Sequence, residues 1–155
     1  GDAVYTMQQA EEDDIYLNYA IPEEGTNLWF DGWVMMKGAN KELSKAFINF
    51  ISRPDNVVRN MDYVGYTPCV GGEEVFEYVK DCYEADEDEE ETVEYDFSIY
   101  FGEGHSFTVS EEQTHRQLFA QYPDLNTLSR CCVMQYFNSD ANKQANKMWK
   151  NISGN

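Results

Sequence analysis

Residues 40–68, NKELSKAFINFISRPDNVVRNMDYVGYTP, carry the clearest structural pattern of the chain. Asn40 can cap a helix, because its side chain can accept a hydrogen bond from the first helical turn. The apolar residues that follow share one helical face: Leu43, Ala46, Phe47, Phe50 and Ile51. Pro54 suits the first turn of a second helix, which we expect to end near Tyr63, before the loop at residues 65–68. The stretch therefore predicts two consecutive helices.

Two apolar stretches ahead of these helices are typical of β-strands. Residues 15–21 (IYLNYAI) stop at Pro22, and residues 28–37 (LWFDGWVMMK) stop at Gly38. A short helix is expected over residues 1–10. Because strands and helices are interspersed along the chain, the pattern predicts an α/β fold.

The second half continues this mixed pattern. We expect helices over residues 73–83, 110–121 and 139–152, a short helical stretch after Pro123, and a strand over residues 94–101. Residues 84–91 hold seven carboxylates in eight positions. Such a run predicts a solvated surface loop, and it lacks the central glycine of a calcium-binding loop.

Composition limits the classes of partner. A chain of 155 residues with 42% apolar residues can form one domain with a core. Its net charge of −18 argues against nucleic acid or an anionic membrane as partner. No apolar run approaches the length of a membrane span. The four cysteines form no C-x-x-C pair and lie at no zinc-ligand spacing from a histidine, so we expect no metal and no cofactor.

Asp31 lies between Trp29 and Trp33 in one of the predicted strands. A carboxylate among aromatic rings is costly unless it is paired, and aromatic faces themselves attract cations. Trp29 and Asp31 therefore indicate a site for an amine or ammonium ligand. In the alternative interpretation both tryptophans belong to the core, and Asp31 is a strand-end carboxylate bonded to backbone.

The sequence offers little support for an enzyme. The two histidines, His105 and His115, have no evident catalytic partners, and His115 beside Arg116 is typical of a surface or interface residue. The chain contains neither a Gly-x-Ser-x-Gly turn nor a glycine-rich phosphate loop. We expect no catalytic activity.

Several segments, in one order along most of the chain, resemble a known family. Residues 19–25 (YAIPEEG) leading into 28–31 (LWFD) resemble the strand pair of the bacterial spermidine/putrescine-binding proteins, the substrate-binding components of polyamine ABC importers. Residues 46–55 (AFINFISRPD) and 64–68 (VGYTP) resemble the helix–Arg-Pro-Asp–helix segment and the Gly-Tyr-x-x-Pro loop of that family. Residues 124–149 are similar to its C-terminal helices.

The resemblance implies the C-terminal portion, about the last two fifths, of a two-lobe fold of the periplasmic-binding-protein type II. Residues 1–20 would then belong to the C-terminal lobe, 21–27 would cross the hinge, and 28–75 would extend the N-terminal lobe. Residues 76–155 would return to the C-terminal lobe. Residues 72–122 have no counterpart in the family and are expected to be an acidic insertion.

The resemblance also implies the residues of a ligand site. Trp29 matches a ring that packs on the methylene chain of a polyamine, and Asp31 matches a carboxylate that pairs with an amine. Tyr66 matches a loop aromatic that closes over the ligand. Gln135 matches a C-terminal hydrogen-bonding residue by its distance from the end of the chain. An alternative for Tyr66 is a turn tyrosine with a bonded hydroxyl group.

The leading hypothesis is thus a non-enzymatic binding module that delivers spermidine or putrescine to a membrane permease. It would act in the periplasm or at the outer face of the cytoplasmic membrane, with any anchor upstream of this chain. The same fold binding another small solute, or a free-standing acidic interaction domain, is the alternative. The chain by itself is expected to dimerise or to swap elements with a second copy, because strand edges and apolar helix faces would otherwise be exposed.

Overall fold

The computed structural model describes residues 2–153. Within them the chain forms eight α-helices: α1 Asp2–Glu11, α2 Lys41–Ile51, α3 Pro54–Val64, α4 Glu73–Tyr83, α5 Ser98–Phe101, α6 Gln117–Gln121, α7 Leu125–Ser129 and α8 Ser139–Ser153. Four short strands complete the fold: β1 Asn27–Leu28, β2 Thr92–Asp96, β3 Ser106–Ser110 and β4 Cys132–Val133. The described part of the chain is thus a mixed α/β structure with small sheets.

The helix pair predicted from residues 40–68 is confirmed. The Asn40 side chain accepts a hydrogen bond from the Leu43 N–H at 3.1 Å and caps α2. Pro54 occupies the first turn of α3, where its missing N–H costs no hydrogen bond. Gly65 ends α3 in the left-handed conformation, with φ at 65°. Local signals are therefore sufficient to define both helices.

The strands form two separate two-stranded sheets. β1 and β4 are parallel, with Asn27 opposite Cys132 and Leu28 opposite Val133. β2 and β3 are antiparallel and pair over their full length, from Thr92 opposite Ser110 to Asp96 opposite Ser106. The parallel pair brings together two segments from opposite ends of the chain.

The hydrophobic core lies between α3, α4, α6 and the β2–β3 hairpin. Phe97 is fully buried and stacks on Phe107, with ring centroids 4.6 Å apart. The cluster also contains Val57, Met61, Val75, Phe76, Val79, Tyr95, Val109, Leu118 and Tyr122. Most of these residues belong to 72–122. The segment expected to be an insertion therefore supplies most of the main core, packed on α3.

The two strands predicted in the first forty residues are largely wrong. Residues 15–21 have irregular backbone, and of the second stretch only Leu28 lies in a strand, β1. A strand needs a neighbour along its whole length. Tyr19 N–H donates to His115 O at 2.7 Å, but no described strand continues beside residues 15–21. Their aromatic and branched residues therefore favour strand without forming one.

Two predictions in the second half also need correction. The predicted strand 94–101 ends at Asp96, because the Asp96 carboxylate accepts a hydrogen bond from Ser98 N–H at 2.8 Å where α5 begins. The predicted helix 110–121 is divided into a 3-10 turn, Glu111–His115, and α6, with extended backbone at Arg116 between them. The carboxylates of residues 84–91 are exposed, as predicted.

Three further observations concern the described residues. All four cysteines are free thiols. No cluster of three or more histidine, cysteine or carboxylate residues among 2–153 is arranged to hold a metal ion. Nor does any helix in that range combine the length and the apolar character required to cross a membrane.

Candidate functional site

The parallel pair β1–β4 places two of the predicted ligand residues, Trp29 and Gln135, at one edge. Met134 N–H donates to Leu28 O at 2.7 Å, and Cys132 N–H donates to Thr26 O at 3.0 Å. Both strands run in the same direction, so their carboxyl ends meet at the same edge. Trp29 follows β1 directly, and Gln135 lies two residues beyond β4. Loops at the carboxyl edge of parallel strands are the usual location of ligand sites in α/β folds.

A tight turn ahead of β1 allows this pairing. Gly25 N–H donates to Pro22 O at 2.9 Å, and the Arg130 guanidinium donates to the same carbonyl at 3.1 Å. Gly25 has φ at +83°, and a Cβ atom at this position would lie 1.8 Å from the Arg130 carbonyl oxygen. Only glycine permits this close approach of the two segments. Gly25 and Arg130 therefore keep the segment before β1 aligned with the segment before β4.

The side chains beyond β1 form an exposed aromatic and acidic surface. Trp29 is 58% exposed, and Asp31 is exposed beside it in sequence. No hydrogen bond or ion pair from the described residues reaches the Asp31 carboxylate. Trp29 and Trp33 are both exposed and lie outside the core that residues 2–153 form. An unpaired carboxylate can attract an organic cation by charge, and an exposed indole ring can do so by cation–π interaction.

The loop that carries Trp29 and Asp31 contacts α2. The rings of Trp33 and Phe47 meet edge to face, with centroids 5.3 Å apart. Such a contact contributes about 0.5–1.5 kcal/mol beyond the area it buries. Trp33 is thus the residue that links this otherwise irregular loop to the helix pair.

Tyr66 belongs to a different part of the surface. It follows α3 in the loop at residues 65–68 and is 48% exposed. Thr67 Oγ1, next to it, donates to Gln121 O at 2.8 Å. Within residues 2–153 no hydrogen bond holds the Tyr66 hydroxyl, and no ring contact joins Tyr66 to Trp29. The structure therefore places Trp29 and Gln135 just beyond the carboxyl ends of β1 and β4, with Asp31 two residues after Trp29, and leaves Tyr66 on a separate loop.

A cavity of about 390 Å³ lies away from this edge, between α1, α3, α4 and α6. Glu11, Asp62 and Gln117 are among its lining residues, and none of the four predicted ligand residues is. Gln117 Nε2 donates to Glu11 Oε1 at 2.5 Å, while its Oε1 is buried without a partner among the described residues. The cavity nevertheless reaches the start of the Tyr66 loop, because Gly65 and Gln121 also line it.

A buried ion pair stabilises the wall of this cavity. The Arg116 side chain is only 4% exposed and pairs with both Glu11 and Glu112. Its guanidinium carbon lies 5.0 Å from the ring centroid of Tyr16, within the range of a cation–π contact. This network joins α1 to α6. In the sequence Arg116 stands out only as the neighbour of His115, and no local pattern indicates that its side chain is buried.

The contacts of two further residues are not indicated by the sequence around them. Arg130 braces the turn before β1, and Gln121 contacts the loop of Tyr66. The Pro22-x-x-Gly25 pattern signals a turn, but nothing local identifies Arg130 as its partner. Both residues act through contacts with distant parts of the chain.

Comparison with known proteins identifies the family. The sequence model of the bacterial extracellular solute-binding proteins matches residues 2–85, more than half of the chain. The chain belongs to this family. Trp29, Asp31 and Tyr66 lie in the matched part of this solute-binding protein, whereas Gln135 and most of residues 72–122 lie outside it.

One curated relative has a named ligand. Over 52 residues this solute-binding protein is 35% identical to a putrescine/agmatine-binding protein of Pseudomonas aeruginosa. The aligned part covers 33% of this chain and 14% of the relative. No solved structure matches. The chain thus spans only a small part of the relative's length.

Proposed function

We propose that this chain contributes to the ligand site of the solute-binding component of a bacterial ABC importer for polyamines such as spermidine or putrescine. The observations that support the proposal are that Trp29 and Asp31, two residues apart just after β1, are both exposed, and that Asp31 has no hydrogen-bond or ion-pair partner among the described residues. The ligand name of the Pseudomonas aeruginosa relative supports it, because putrescine and agmatine are organic cations.

Each proposed residue has a chemical role. The Asp31 carboxylate pairs with an ammonium group, and the Trp29 indole packs on the methylene chain and attracts the charge. Gln135, at the same edge, supplies an amide that can accept a hydrogen bond from an amine. Tyr66 closes over the ligand from its own loop.

The proposal includes a two-lobe, type II binding-protein architecture that closes around the ligand by hinge motion. In this scheme residues 1–20 and 76–155 belong to one lobe, 28–75 to the other, and 21–27 cross between them. The turn at Gly25, braced by Arg130, lies in the crossing segment. Both lobes of the complete protein are needed to enclose the ligand, so residues 1–155 alone should bind it weakly.

The proposed partners follow from this role. The complete protein acts in the periplasm or at the outer face of the cytoplasmic membrane and delivers its ligand to the importer's permease. It performs no catalysis.

The exposed helix faces support a second proposal, self-association of the 155-residue chain. Neither α2 nor α8 has a buried residue, although each carries an apolar face. Phe47 and Phe50 on α2 and Trp149 on α8 are about half exposed or more. A dimer or a swapped pair would cover these faces. Light scattering over a range of concentrations should give twice the monomer mass, and a compact monomer at the highest concentration would contradict this.

Isothermal titration calorimetry of the full-length gene product tests the ligand class. Putrescine, spermidine, acidic and neutral amino acids and simple sugars should be titrated separately. We expect heat from the polyamines and none from the sugars or acidic amino acids. Tight binding of a neutral sugar, together with no heat from the polyamines, would support the alternative in which the same fold binds another small solute. No binding of any solute would favour an acidic interaction domain.

A further inference from the structure

Residues 72–122 contact the Tyr66 loop through one side chain and its backbone. Gln121 Nε2 donates to Gly65 O at 3.1 Å, and Thr67 Oγ1 donates to Gln121 O at 2.8 Å. The two neighbours of Tyr66 in sequence are therefore both hydrogen-bonded to the same residue at the end of α6. The loop is therefore attached to Gln121 on both sides of Tyr66, through the Gly65 carbonyl and through the Thr67 side chain.

The Gln121 amide is itself held in one orientation. Tyr83 OH donates to Gln121 Oε1 at 2.9 Å, which leaves the amide NH₂ group to face the Gly65 carbonyl. Burial raises the pKa of Tyr83 well above its usual value, with smaller contributions from Cys82 and Glu11, so its hydroxyl remains a donor across the physiological range.

The end of α6 is also fixed in the core. Leu118 in α6 is fully buried, and Tyr122, directly after Gln121, is buried in the core. Tyr95 OH donates to Tyr122 O at 2.7 Å and ties this backbone to β2. A side chain that projects from this rigid part of the core restrains the groups to which it is hydrogen-bonded.

We infer that Gln121 is a positioning residue for Tyr66, so that residues 72–122 tune solute affinity without touching the solute. The inference rests on the proposed function, in which Tyr66 closes over the ligand. By holding Gly65 and Thr67, Gln121 reduces the conformational freedom that the Tyr66 loop loses when it closes. Residues 72–122 thereby gain a role in binding that does not depend on the carboxylates of residues 84–91.

A double-mutant cycle measured by calorimetry on the full-length gene product tests this. Gln121→Ala should weaken polyamine binding by about threefold to tenfold, the effect of one lost neutral hydrogen bond. In a Tyr66→Ala background the same change should alter affinity by less than about twofold, because its route to the ligand is already gone. Equal effects of Gln121→Ala in both backgrounds would overturn the inference.

Gln117→Ala is the matched control. It removes the same type of side chain from the same helix and breaks a bond to Glu11, but it has no described contact with the Tyr66 loop. We expect it to lower the unfolding midpoint and to leave polyamine affinity within about twofold of wild type. A loss of affinity as large as that of Gln121→Ala would show that general destabilisation of α6 explains the effect.

Two further measurements separate this inference from the proposed function. Without ligand, hydrogen exchange of the backbone amides at residues 65–67 should be faster in Gln121→Ala than in Gln117→Ala; equal exchange in the two variants would overturn the inference even if polyamine binding is absent. Absence of polyamine heat in the wild type would reject the proposed function itself. If Gln121→Ala fails to fold, Thr67→Val can replace it, because it removes the hydrogen bond from Thr67 Oγ1 to Gln121 O. Thr67→Val should then weaken polyamine binding in the wild type and change it little in a Tyr66→Ala background.

Discussion

Replacing Glu11 with Gln tests the ion pair that joins α1 to α6. Arg116 is 4% exposed at its side chain and pairs with Glu11 and Glu112, while Glu11 Oε1 also accepts from Gln117. The substitution keeps the shape and most of the hydrogen-bonding capacity of the side chain and removes its charge. The buried guanidinium then retains only Glu112 as a charged partner.

The expected magnitude follows from the exposure of the pair. Breaking a fully buried ion pair costs about 3–5 kcal/mol. The Glu11 side chain is 32% exposed, and Glu112 still balances the charge, so we expect a loss of about 2 kcal/mol. For a chain of this length such a loss corresponds to a fall in the melting temperature of about 4–8 °C.

Urea unfolding, followed by far-ultraviolet circular dichroism, measures the change. The control is Glu12→Gln, because Glu12 directly follows the same helix and is an exposed carboxylate that accepts a hydrogen bond from Gln9 at 3.2 Å. The control should change the free energy of unfolding by less than about 0.5 kcal/mol. If Glu11→Gln were no more destabilising than Glu12→Gln, the ion pair would contribute nothing to the packing of α1.

Three further predictions concern other parts of the chain. Gly25→Ala should destabilise the protein by at least about 2 kcal/mol in thermal unfolding, because its new methyl group would collide with the Arg130 carbonyl at a positive φ. Burial alone would raise the pKa of Asp124, but its hydrogen bonds from Thr127 and neighbouring backbone outweigh burial and lower that pKa. Asp124→Ala, which removes the cap of α7, should therefore cost about 1 kcal/mol at pH 7, and its difference from wild type should shrink as the pH falls below about 4. Replacing the carboxylates of residues 84–91 with amides should leave polyamine affinity within a few-fold by calorimetry, whereas a hundredfold loss would show that this exposed run steers the ligand.

The helices were predictable because their signals act over one or two turns. Asn40 caps α2 through a bond to a residue three positions away, and Pro54 defines the first turn of α3 by its own geometry. The strands expected in the first forty residues could not be predicted in this way, because a strand forms only where another strand pairs with it. Leu28 finds its partner in Val133, near the far end of the chain, and the residues after Leu28 find none in the described structure.

The candidate site is a prediction from residue types, because a carboxylate between tryptophans indicates a cation site. The structure adds that Trp29 and Asp31 are both exposed. The contribution of Gln121 depends on a contact between α6 and the loop after α3, which no periodic pattern encodes. Long-range hydrogen bonds of this kind can be recognised only once the fold brings the two segments together.

The charge of Asp31 is the most direct test of the proposed function. Calorimetry with putrescine and spermidine should compare the full-length wild type with Asp31→Asn, and with Glu24→Gln as an exposed carboxylate outside the proposed site. Losing a charge-assisted partner costs about 1.5–3 kcal/mol, so Asp31→Asn should weaken polyamine binding at least about tenfold, and Glu24→Gln should leave it within about twofold. Unchanged affinity in Asp31→Asn, or no polyamine heat in the wild type, would contradict the assignment.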